Sequence, residues 1–103
     1  MGMDLGVYTK VSEKMYDFVP GVEGFRATQS VRKILNKGLD VDFQQADDGD
    51  YMWGGQKLDN AVTTLEAKAS YLIIDCGCDF DSYREVVELF RLSQEKGYII
   101  CLT

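Results

Sequence analysis

The chain has 103 residues, of which 46% are apolar and 27% charged, with Lys and Arg outnumbered 11 to 17 by Asp and Glu. This size and balance describe a single domain over residues 1–103 with a real core, and exclude a disordered, fibrous or two-domain protein. A net charge of -6 argues against nucleic acid and anionic membranes as direct partners, because both demand a positive surface.

No apolar run approaches the roughly 20 residues of a membrane span. Met1–Asp4 offers neither a basic n-region nor an apolar h-region, so the expected location is the cytoplasm. Three cysteines in a chain of this length do not form a disulfide framework.

In chain order, Leu5–Thr9 reads as a first strand, supported by Val7, Tyr8 and Thr9 and weakened by Gly6. Ser12 is placed to cap a short helix in which Val11, Met15 and Phe18 recur near helical spacing, ended by Pro20, Gly21 and Gly24. Thr28 or Ser30 starts the next helix, with Val31, Ile34 and Leu35 on its apolar face and Lys37-Gly38 at its end. Leu39–Phe43 alternates strictly, predicting a strand with Asp40 and Asp42 on the wet face, or else an extended entry into a loop. Gln45–Gly55 is a loop by composition, and a third helix runs from Gln56 to Lys68 on a stripe of Leu58, Ala61, Val62 and Leu65.

The last third sets the predicted architecture. Tyr71–Asp75 is a short apolar run that reads as a buried strand. Ser82 and Glu85 form a capping-box pattern opening a helix buried along Tyr83, Val86, Val87 and Phe90, widened by Leu89 and Leu92 and closed by Gly97. Tyr98–Leu102 is a second buried strand. Strand, helix, strand in about thirty residues predicts a C-terminal β-α-β unit with parallel strands. The expected fold is therefore α/β, a small three- to four-stranded, mostly parallel sheet with packed helices.

Chemistry is poorly provided for. There is no histidine, which removes Ser-His-Asp and Cys-His arrangements. Phosphate-binding glycine motifs are absent, and Asp47-Asp48-Gly49-Asp50 lacks the alternate ligand spacing of a calcium loop. Cys76-Gly77-Cys78 fits a soft-metal or dithiol pair, with Cys101 as a neighbour, but a closed zinc site wants four ligands and free Cys is most often simply buried. No catalytic residue, metal or cofactor is expected.

The acidic stretch Asp40–Asp59 carries more weight. It holds Asp40, Asp42, Asp47, Asp48, Asp50 and Asp59 around Tyr51, Met52 and Trp53, with no basic residue before Lys57. Carboxylates speed encounter with a positive cleft and aromatic rings supply buried contacts, provided the rings are exposed rather than core.

Trp53-Gly54-Gly55-Gln56-Lys57-Leu58-Asp59-Asn60-Ala61-Val62, then Tyr71–Ile74, Val86–Arg91 and Glu95–Thr103, resembles barstar and its relatives over about residues 51–103. Those intracellular proteins plug the active site of a small basic ribonuclease. The family's acidic contact residue falls on Thr63 here, flanked by Asp59 and Glu66, and its tryptophan falls on Val62. The resemblance thus implies an inhibitor or immunity protein whose binding surface uses other residues: Asp47, Asp48, Asp50, Tyr51, Trp53 and Asp59, extended by Glu66. The implied partner is a basic protein toxin, a nuclease first of all. Two alternatives share the chain: an acidic DNA mimic or regulatory binder using the same surface, and a thiol or metal protein centred on Cys76 and Cys78.

Overall fold

Leu5 and Val7 alternate with Gly6 and Tyr8 on one strand, and Ile100 and Leu102 with Ile99 and Cys101 on its neighbour; that alternation builds the sheet. A computed structural model describes residues 4–19, 22, 24–45 and 51–103. The strands are β1 (Asp4–Ser12), β2 (Met15–Phe18), β3 (Phe25–Arg26), β4 (Met52–Trp53) and β5 (Ile99–Leu102). Their order across the sheet is β2-β1-β5-β4, with β3 pairing the start of β1. Leu5 faces Leu102 and Val7 faces Ile100 across β1 and β5, and Trp53 faces Ile100 across β4 and β5.

Helices α1 (Gln29–Leu39), α2 (Gly55–Ala67) and α3 (Phe80–Lys96) complete the fold. Their buried stripes, Val31, Ile34 and Leu35 in α1, Leu58, Ala61, Val62 and Leu65 in α2, and Val86, Val87, Leu89 and Phe90 in α3, join the inward strand residues in one core. No helix among the described residues is long and apolar enough to cross a membrane.

Every strand pairing among the described residues is antiparallel, which overturns the mostly parallel sheet and the C-terminal β-α-β unit. The segment expected to supply the parallel strand, Tyr71–Asp75, is a single π-helical turn instead. A short apolar run does not tell helix from strand by itself. Here α2 ends at Ala67 and the helical path resumes at once, with Leu72 N–H bonding to Lys68 O at 2.8 Å and Cys76 N–H to Tyr71 O at 2.9 Å. Nor is there room for it beside β5, whose two edges are held by β1 and β4.

Residues 12–18 are likewise not a helix. β1 continues to Ser12 and returns as β2, with Tyr8 opposite Phe18 and Lys10 opposite Tyr16. Val11, Met15 and Phe18, the supposed core stripe, are 60%, 62% and 69% exposed. A helix there would have had no core to bury them in, whereas the ladder satisfies the backbone.

Leu39–Phe43 keeps the predicted alternation of burial without becoming a strand. Val41 is buried and Asp40 and Asp42 are exposed, but α1 extends through Leu39 and Asp40 closes it in the left-handed conformation at φ 58°. Gly38 is therefore not the C-terminal stop. It lies inside the helix, where a Cβ would meet Leu65 Cδ2 at 3.0 Å, so its role is close approach of α1 to α2.

At the start of α3 the cap is Asp79 rather than the Ser82–Glu85 box, its carboxylate accepting from Ser82 N–H at 2.9 Å. Asp79→Ala should lower stability by about 1 kcal/mol. Ser82→Ala, inside the helix, should cost less, as paired thermal melts would register.

Candidate interaction surface

The aromatic pair of the acidic stretch is built into the fold from below. Trp53 is the inward residue of β4, only 4% exposed, and its ring meets Phe90 of α3 at 5.3 Å between centroids. Of the two readings the sequence left open, exposed ring or core, Trp53 takes the second: the register of β4 against Ile100 aims the indole at the helices. Tyr51, two residues earlier on the same side, stacks on Trp53 at 6.2 Å with rings inclined by 21°. Tyr51 is half-buried, packed against the edge of the core.

The segment after α1 is fastened to this stack. Asp42 N–H donates to the Tyr51 hydroxyl at 3.0 Å, and the Asp42 carboxylate accepts from Gln44 N–H at 3.0 Å. Asn36 Nδ2 holds Val41 O at 2.8 Å, and the Arg32 guanidinium lies 5.4 Å from the Phe43 ring centroid. Tyr51 O accepts from Leu102 N–H at 3.0 Å, tying the site to β5. Asp42 and Tyr51 therefore stand side by side on a rigid base.

The other predicted site residues divide differently. Asp59 and Glu66, seven positions apart and so on one side of α2, both reach α3. Asp59 accepts from Gln94 Nε2 at 2.9 Å, and Glu66 receives Arg91 through Nε at 3.2 Å and Nη2 at 3.0 Å. Both ends of the Glu66–Arg91 pair are well exposed, so it is worth about 0–1 kcal/mol and acts as a latch between helices. These two carboxylates are engaged within the chain, away from the Asp42–Tyr51 stack. Asp47, Asp48 and Asp50 lie outside the described residues.

Sequence reasoning missed the basic side of the neighbourhood. A recess of about 770 Å³ is lined by Asn36, Lys37, Asp40, Asp42, Lys68 and Tyr71. Lys68 Nζ donates to Lys37 O at 3.4 Å across a separation of 31 residues, so no local pattern announces the encounter. The described part of the surface is thus mixed in charge.

The cysteines separate. Cys78 belongs to the core, its N–H held by Leu72 O at 2.9 Å. Burial pushes its thiol up, and the neighbouring Cys76 pushes it further in the same direction. A raised thiol holds less thiolate at neutral pH, the reverse of a reactive nucleophile. The hydrogen bond with Cys76 raises the Tyr71 phenol. Cys101 sits in β5 opposite Gly6 and Met52, outside the core cluster that contains Cys78. Among the described residues no group of three His, Cys, Asp or Glu side chains is placed to hold a metal ion.

Comparison with known proteins adds no relative: no family model, no curated protein and no solved structure matches the chain, and the resemblance to barstar rests on the quoted residues alone.

Proposed function

We propose that this protein is an inhibitor that binds and occludes a basic protein, a nuclease toxin first of all, from within the cytoplasm and without chemistry of its own. The observation that carries the reading is the half-buried Tyr51, its ring stacked on Trp53 and its hydroxyl fastened to Asp42, inside a stretch with no basic residue between Asp40 and Lys57. A pre-positioned ring gives a binding surface its contact energy at low entropic cost, and surrounding carboxylates give it a fast approach to a positive cleft. In this reading Tyr51 is the contact residue, Trp53 is its support, Asp42 stands beside it, and Asp47, Asp48 and Asp50, its near neighbours in sequence, supply the acidic charge. Asp59 and Glu66 fall to the helix latch.

The test is capture of a basic polypeptide from the source organism's lysate, followed by measured association rates. Asp48→Lys with Asp50→Lys should slow association strongly at low salt and much less at high salt, because exposed charges are screened. Tyr51→Ala should weaken binding by about 2 kcal/mol, mainly in the dissociation rate. An affinity indifferent to salt and to these changes would remove the reading. Displacement of the captured protein by duplex DNA, with no nuclease activity in it, would replace the inhibitor by a DNA mimic.

A further inference from the structure

Alternation along β1 sends Leu5 and Val7 into the core and leaves Asp4, Gly6 and Tyr8 on the opposite face of the sheet. Two neighbours stand level with the ends of that row. Arg26 of β3 lies opposite Asp4, and Phe18 of β2 lies opposite Tyr8. Residues paired in this way share one face. Gly6 sits between the charge pair and the ring pair, at a position where neither β3 nor β2 is in register with β1. Each pair is two residues of strand away from it, about 6–7 Å.

The missing side chain at Gly6 shapes a recess. A Cβ there would lie 2.9 Å from the Tyr8 ring and 3.0 Å from its hydroxyl, so only glycine lets Tyr8 fold back along β1 toward the charge pair. The exposed Phe18 meets the Tyr8 ring at 4.9 Å between centroids and forms one end. Gly24 passes so close to Leu5 O that any Cβ would collide with it, and with Val22 it forms a side wall. The enclosed volume is about 490 Å³, within the range of small-ligand sites.

Its polar groups are not spent on one another. Among the described residues the Asp4 carboxylate, the Arg26 guanidinium and the Tyr8 hydroxyl make no hydrogen bond or ion pair, although Asp4 and Arg26 are cross-strand neighbours. A simple anion entering here would meet Asp4 on a chain of net charge -6, and a simple cation would meet Arg26. A zwitterion answers both. An α-amino acid carries its carboxylate and ammonium on one carbon, and its side chain extends from there toward the rings. We infer that the recess binds a free aromatic α-amino acid, with the carboxylate on Arg26, the ammonium on Asp4 and the ring against Tyr8 and Phe18. The site uses no residue of the proposed inhibitor surface.

Titration of the isotope-labelled full chain with L-phenylalanine, followed through its amide resonances, tests this assignment. Saturable shifts should centre on Gly6, Tyr8 and Arg26. N-acetylphenylalanine and phenylalanine amide each lack one charge and should bind about tenfold more weakly. Arg26→Gln and Asp4→Asn should each weaken phenylalanine by a similar factor, with thermal melts showing that these exposed substitutions leave the fold intact. Phe18→Ala should weaken it as well. No saturable shift at millimolar phenylalanine overturns the inference. Equal binding of N-acetylphenylalanine would make this an anion site, and equal binding of the amide a cation site; either overturns the zwitterion. An affinity unchanged in both Arg26→Gln and Asp4→Asn does so too. Capture of a basic protein is scored separately, so either reading can fail while the other stands.

Discussion

Phe90→Ala should cost about 3–5 kcal/mol in urea unfolding, a large part of the 5–15 kcal/mol that holds a typical domain. Phe90 is fully buried in the middle of α3, and its ring supports Trp53 at 5.3 Å. Truncation removes the transfer energy of a phenyl group and leaves a cavity that Trp53, pinned by β4, fills only in part. The chain's single tryptophan makes the outcome visible, since Trp53 emission should shift to the red as water reaches the indole. Tyr51 rests on Trp53, so the same variant should also bind its partner less tightly. A loss below 1 kcal/mol with unchanged emission would show that the Tyr51–Trp53–Phe90 stack is not the foundation of the site.

The second large effect separates two structures for Tyr71–Asp75. As a strand, Leu72 and Ile74 would share one face and cost alike on truncation. As a helical turn, Leu72 points into the core at 0% exposure and Ile74 out into solvent at 76%. Leu72→Ala should therefore cost about 2–5 kcal/mol. Ile74→Ala should stay within about 0.5 kcal/mol. Leu72 also lies against Gly38, where a Cβ would stand 3.4 Å from its Cδ1, so it joins the turn to α1. Equal losses at both positions would restore the strand.

The helices were legible because their signals are local. Val31, Ile34 and Leu35, then Leu58, Ala61, Val62 and Leu65, then Val86, Val87 and Phe90 repeat at helical spacing. Thr28 caps α1 through Val31 N–H, and Gly97 closes α3 at φ 73°. The strands at Leu5–Thr9 and Ile99–Leu102 were legible for the same reason, from short runs of strand-forming residues. The hairpin at 4–18 was not, because Val11, Met15 and Phe18 imitate a helical stripe while none of them enters the core. The burial of Trp53 depends on which face of β4 meets the helices, and that is set by its register against β5, 47 positions away at Ile100.

The sequence alone therefore determined helices α1, α2 and α3, the two central strands β1 and β5 and the acidic, histidine-free character of the chain, since propensity, periodicity and charge are properties of neighbouring residues. Only the tertiary structure decided that the sheet is antiparallel, that Trp53 supports Tyr51 from within, that Asp59 and Glu66 latch α2 to α3, and that Asp4 and Arg26 stand with Tyr8 and Phe18 around one recess. Each of these is a pairing between distant segments. Such pairings are selected by the core they close together, which no local window contains.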